Sequence, residues 1–283
     1  MEVINLGKYD IEGAIRSWEI EVEEHEKLLE EYDNSVTKFN KWNIDFRIEE
    51  AIKREETYHR ILKNMKLLHM GNNPLTDWEL YGVSYDLDTS IYKSAPSSLY
   101  IVPSKLTDTR VEEGTVLCKL TNTLQINQGR LVSWCRFDHR GYGTGVGGAG
   151  GFMFRNTSSV GNPNFDNGYA VVRYVRETTV YIKAYRIENA SKHEIKSVSS
   201  SLGNTTWYKL RVTWWEDQGI LFIRFEKLNG SWAKLLDDIT DTENAFSGQS
   251  TLRVGFYVRV WWSPTAGSRS YNWFDDTEIW KAS

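Results

Sequence analysis

Hydrophobic and polar positions along the chain change period once, near residue 74. Before that point a seam recurs by alternating fours and threes, nine of its eleven positions apolar or aromatic: Ile11, Ile15, Trp18, Val22, His25, Leu29, Tyr32, Val36, Phe39, Asn43 and Phe46. That spacing is the seam along which one helix packs on another. A second seam, one residue out of phase, runs through Ile44, Ile48, Ala51, Glu55, Tyr58, Leu62, Met65 and His69. Gly71, Asn72, Asn73 and Pro74 then favour a helix end, because Gly and Asn suit a C-terminus and Pro cannot continue one. Residues 1–73 are therefore expected to form a helical stem for oligomerisation and attachment. Its oligomerisation seam is Ile11, Ile15, Trp18, Val22, Leu29, Tyr32, Val36, Phe39 and Phe46.

From Trp78 onward the pattern alternates with period two. Tyr208, Leu210, Val212 and Trp214 share one face, and Leu221, Ile223 and Phe225 share another. Val254, Phe256, Val258 and Val260 point opposite to Arg253, Tyr257, Arg259 and Trp261. Thirteen such segments, separated by Gly, Asn and Ser turns, predict an antiparallel β-sandwich over residues 74–283. The fold class expected is thus segregated α+β, a long helix or coiled-coil stem followed by a jelly-roll head.

Charge divides the stem further. Ile11 to Tyr32 is acidic outside its seam, while Val36 to Leu68 is basic. Asp33-Asn34-Ser35, residues that favour turns and helix N-caps, lie between them. An unbroken coiled coil joining two or three chains fits the continuous seam; a hairpin folded at residues 33–35 fits the opposite charges. The whole chain carries a net charge of −4, which leaves no basic surplus for nucleic acid. Residues 1–10 carry no signal-peptide pattern, and no stretch is apolar enough to span a bilayer, so no membrane insertion is expected. Cys118 and Cys135 fall on neighbouring strand candidates and could pair or stay as buried thiols.

Candidate chemistry is sparse. The five histidines are scattered without ligand-like spacing, so no metal and no cofactor is expected. Residues 141–151 mimic a dinucleotide-binding glycine pattern but precede a strand instead of opening a helix, which predicts a rim loop. Asp276 and Glu278, alternating on the last strand, are the better-placed carboxylates, ahead of the run Asp237 to Glu243 in a polar connection. Trp261, Trp262, Tyr271 and Trp273 flank the segment 263–270, with Arg259 and Arg269 beside them. They form the candidate glycan platform, since rings offer apolar faces beside polar edges.

Asp77-Trp78-Glu79 with Ser97 to Ile101, Thr206 to Val212 before Gly230-Ser231-Trp232, and Arg253 to Phe256 before Phe274 to Ile279 together resemble the concanavalin A-like lectin and glucanase superfamily, laminin G-like modules included. The likeness covers roughly Trp78 to Trp280, and the stem before it is similar to those of viral fibres. What the resemblance implies is a two-sheet jelly roll whose concave face or rim often binds sugars. Its hydrolytic members need two carboxylates flanking the scissile bond. No catalytic residue is assigned, and the expectation is a non-enzymatic homo-oligomer. It would be a virion spike, fibre or decoration subunit located on a virion or extracellular surface assembly. The stem would contact other assembly proteins, and the head a cell-surface glycan. A purely structural lattice protein and a glycoside hydrolase of the same fold are the alternatives.

Overall fold

The computed structural model describes residues 38–70, 78–94, 97–103, 111–121, 125–140, 147–158, 167–261 and 269–282. The chain divides into two compact units, a smaller one containing helix α1 (Lys38–Lys63) and a larger one, residues 66–227 and 234–282, which is the β-sandwich.

Helix α1 carries much of the second seam. Glu55, Tyr58 and Ile61, three residues apart, are its buried positions, while Phe46 is 48% exposed. Arg60 and Lys63 occupy the last turn, where positive charge suits the helix dipole. The stem positions Ile11 to Val36 and the turn at 33–35 lie outside the described residues. The helix stops earlier than the sequence pattern predicts. Met65–Met70 is strand β1, which pairs with the last strand of the chain. Leu68 packs toward the sandwich core and Leu67 is exposed, so here the apolar residues serve a two-residue period. Strand pairing has overridden the helical continuation.

The sandwich is built from β2 (Trp78–Tyr81), β3 (Val83–Asp88), β4 (Ser98–Pro103), β5 (Val111–Cys118), β6 (Gly129–Arg140), β7 (Gly147–Asn156) and β8 (Gly168–Arg176). It continues with β9 (Thr179–Glu188), β10 (Ser191–Ser199), β11 (Trp207–Asp217), β12 (Ile220–Asn229), β13 (Ser231–Asp241), β14 (Arg253–Trp261) and β15 (Arg269–Ala282). One sheet has the order β13-β12-β11-β6-β15-β4-β3, with β1 added on β15; the other runs β10-β9-β8-β7-β14-β5-β2. Tight two-residue turns close several hairpins. Asn189 and Ala190 both take positive φ between β9 and β10, the geometry that matches strand twist.

The alternation read from the sequence holds on β11, β12 and β14, whose Leu210, Val212, Trp214, Leu221, Ile223, Phe225, Val254, Phe256 and Val258 all line the core. Rings dominate that core: Phe256 stacks on Phe274 at 3.8 Å between centroids and Phe154 on Trp214 at 4.8 Å. Cys118 and Cys135 are buried and form no disulfide. The glycine run is corrected in part. Residues 147–151 are buried strand rather than rim loop, and residues 141–146 lie outside the described ones. A Cβ on Gly150 would fall 1.8 Å from Asn272 Oδ1, so the bare backbone is what lets a side chain of the opposite sheet approach.

Candidate functional site

Five strands of the eight-stranded sheet each place one residue in a single row across its outer face. Asp86 opposes Tyr100, Tyr100 opposes Trp273, Trp273 opposes Arg136, and Arg136 opposes Trp207. The row faces outward because its strand neighbours Leu99, Ile101, Cys135, Phe137 and Phe274 fill the core, and successive side chains alternate.

Trp273 is the base of this platform. It is 5% exposed, and its indole N–H donates to Asp88 Oδ2 at 2.8 Å. The Tyr100 ring tilts against it at 5.1 Å, Tyr271 meets it edge-on at 6.2 Å, and the two tyrosines touch edge-to-face at 5.7 Å. The Arg136 guanidinium lies 5.5 Å from the Trp273 ring centroid, a cation–π contact. Alongside, Lys93 and Ser94 donate their backbone N–H groups to Asp275 Oδ2, each at 2.8 Å. That strap holds Lys93 Nζ 4.5 Å from the Trp134 ring. Arg136 is the polar member of this row with donors left over. Its Nε is shielded from solvent and, among the described residues, it has neither a hydrogen-bond acceptor nor a carboxylate partner. An arginine so placed has donors to offer something the chain does not supply.

Directly behind the platform, the two sheets are tied by buried polar groups. Arg173 NH1 donates to His139 Nδ1 at 3.0 Å, since a guanidinium can only donate. His139 Nε2 therefore carries the proton and donates to Asn272 Oδ1 at 2.8 Å. Arg173 also donates to Leu202 O at 2.8 Å and Asn204 Oδ1 at 2.7 Å. Burial, and then the Arg173 charge, hold the His139 pKa well below the ordinary imidazole value. Burial likewise brings Arg173 down to about 10.

The outer face of the seven-stranded sheet has a second polar cluster. Glu113 accepts from Tyr257 Oη at 2.5 Å and Lys192 Nζ at 2.8 Å, and faces Arg259 Nε at 3.4 Å. Tyr174 and Tyr185 pack beside it on Ala149, Met153, Val172 and Tyr257. Burial pushes the Tyr257 and Tyr185 hydroxyls up, so both stay neutral donors. These charges answer one another within the chain.

The six residues of the sequence-level platform are divided by the fold. Tyr271 and Trp273 stand together on the eight-stranded face, and Arg259 belongs to the seven-stranded one. Only the backbones of Trp261 and Arg269 are described, on β14 and β15, and Trp262 lies outside the described residues. Tyr100, Arg136, Trp134 and Trp207 are added by strand order. Their outward parity was readable from alternation, but nothing in the sequence places β6 between β11 and β15.

The carboxylates singled out from the sequence have structural partners. Asp276 sits at a bulge with φ +47° and accepts from Ser94 Oγ; Glu278 accepts from Trp280 Nε1 at 3.1 Å and faces Lys209 at 3.6 Å. Asp238 and Asp241 lie on β13, not in a connection. They take Arg224 Nε at 2.7 Å and Arg186 NH1 at 2.9 Å respectively. Among the described residues no group of three His, Cys, Asp or Glu side chains is placed to hold a metal ion, and no helix is long and apolar enough to cross a membrane.

No protein-family model and no curated protein sequence matches the chain. Solved structures do match it. Winged bean acidic lectin, complexed with methyl-α-D-galactose, is 10% identical, with a TM-score of 0.50 over 77% of this chain and 98% of its own. The head is a concanavalin A-like jelly roll. A legume lectin-like domain from Entamoeba histolytica matches at 10% identity and TM-score 0.47, covering 76% of this chain and 98% of that one. Lectin I from Ulex europaeus matches at 9% and 0.46, covering 76% and 97%. At these identities the likeness is one of fold.

Proposed function

We propose that the head is a carbohydrate-binding module and that the Tyr100, Tyr271, Trp273, Arg136 and Trp207 face is where it binds. The observation that carries this reading is Arg136, set in an aromatic row with donors and no acceptor. Sugars offer both complements, C–H faces for the rings and hydroxyl oxygens for the guanidinium. The winged bean lectin of the same fold is complexed with a galactoside, which agrees with the ligand class but does not locate the site. The seven-stranded face is the weaker candidate because Glu113, Lys192 and Arg259 already pair with one another.

Around that module we read the chain as a non-enzymatic, oligomeric surface subunit of the virion spike, fibre or decoration type. Its residues 11–46 would supply the assembly seam. Asp276, held at a bulge against Ser94, and Glu278, engaged by Trp280 and Lys209, argue against a hydrolytic pair. A purely structural lattice role is favoured by a different feature, the exposed Leu87 and Tyr92 beside edge strand β3.

A glycan array followed by calorimetry tests the binding. Wild-type protein is expected to retain a glycan that Arg136→Ala binds about tenfold more weakly, the worth of a lost charge-assisted hydrogen bond. Arg136→Lys should recover only part, since it lacks the planar fork. Absence of any bound glycan, or an Arg136→Ala variant as tight as wild type, would sink this site and move the lattice reading ahead.

A further inference from the structure

Resting on the carbohydrate reading, we infer that the face takes the interior of a neutral, extended glycan chain laid across the strands, instead of a terminal sugar. A pocket for one sugar gathers its polar groups from several sides of a concavity. This face does something else. Asp86, Tyr100, Trp273, Arg136 and Trp207 are direct neighbours on five successive strands, so their side chains stand side by side in a line. With paired strands about 4.8 Å apart, Tyr100 and Trp207 are separated by three steps, roughly 14 Å. One sugar ring cannot touch both.

The line also has sides. Tyr271 stands on one flank, two residues along β15 from Trp273. Trp134 stands on the other, two residues along β6 from Arg136, with Lys93 over its ring. A chain following the row would rest on Tyr100 at one end and Trp207 at the other. Arg136 would reach its hydroxyls midway.

Charge selects the kind of chain. The residues that share or border this face include Asp86, Asp88, Asp138, Asp275 and Glu278 against Arg136, Lys93 and Lys209, the last of which lies opposite Trp134. A polyanion would meet a net negative border along this face, whereas a neutral polyol carries no charge to be repelled by it. The carboxylates then serve as acceptors at the margins, as Asp88 already does for Trp273.

The test uses the full-length protein in native gels containing mixed-linkage β-glucan, laminarin, xylan, galactomannan or alginate. Calorimetry follows, with oligosaccharides of one to six units from whichever polymer retards it most. At least one neutral polymer should retard the protein and alginate should not. Affinity should climb about tenfold or more from two units to the length that spans the row, then level off. Tyr100→Ala and Trp207→Ala should each lose roughly three- to tenfold on the longest oligosaccharide and little on the disaccharide, as stacking losses do. Near-ultraviolet circular dichroism confirms that each variant is folded.

A disaccharide bound as tightly as the hexasaccharide overturns the extended-chain inference while leaving carbohydrate binding intact. Stronger retardation by alginate overturns the neutral class. No retardation by any of the polymers, with an empty glycan array, overturns the binding reading itself. A fall in solution mass on Arg136→Ala would assign the face to a second copy of the chain and overturn both.

Discussion

His139 is the residue whose chemistry most directly reports on the integrity of the sandwich behind the platform. It must be neutral there, because Nδ1 accepts from Arg173 and a second positive charge would sit against the guanidinium. The folded pKa lies below the ordinary unfolded value of about 6.5. The unfolded chain therefore binds the proton first as pH falls. The His139 contribution is complete above that value and is lost on acidification toward the folded pKa. Wild-type stability, measured by urea unfolding at pH 7 and pH 5, should fall by up to about 1.4 kcal/mol per pH unit more steeply than that of His139→Gln. Equal slopes would show that the imidazole does not carry the dependence. Gly150 makes a separate, steric demand on the same spot. Gly150→Ala drives a methyl into Asn272 Oδ1, and overpacking of this kind should destabilise by about 1–3 kcal/mol in denaturant titrations. An unchanged midpoint would mean that β7 can shift away from β15.

At the scale of elements, the eight-stranded face depends on the strap after β3. Asp275 Oδ2 holds the amides of Lys93 and Ser94, and its Oδ1 takes the amide of Asp276 at the bulge. Asp275→Ala removes acceptors from these amides and should lower stability by about 1–3 kcal/mol. Hydrogen exchange at Lys93 and Ser94 should quicken before the core strands are affected. If those amides exchange as slowly as in wild type, the strap is held by something other than Asp275. How far such elements were legible in the sequence follows from how local their causes are. Alternation on β11, β12 and β14 is a property of consecutive residues, and it predicted the core face position by position. Strand β1 carries a helical pattern because Met65 and His69 also satisfy a heptad, and the pairing that decides the matter lies about two hundred residues away on β15. Arg136 and Trp207 are likewise joined only by sheet order. Residues 147–151 have the composition of a loop because their glycines answer to Val175, Asn272 and Val171 across space, not to their own turn.

For the whole molecule, what matters is whether weak contacts are used singly or together. A shallow sheet face with a few partly exposed rings gives modest affinity, because much of each ring's apolar surface is already spent on its neighbours. A surface protein that must hold on through such a face gains most by presenting several copies at once. The 3-4 seam from Ile11 to Phe46 offers a means of doing so, and Leu29 lies near its middle. Full-length protein is therefore expected to show the mass of a dimer or trimer by light scattering, and Leu29→Asp that of a monomer, since a charge in the seam must be desolvated for the helices to join. Far-ultraviolet circular dichroism should keep its β signature, because the sandwich has its own core. Affinity for a free oligosaccharide should be the same in both proteins, while retention on a glycan-coated surface should drop by about a hundredfold in the monomer. A monomeric wild type would remove the seam from assembly and leave each head to bind alone. Equal retention of the two proteins would show that avidity plays no part, and that one face is sufficient.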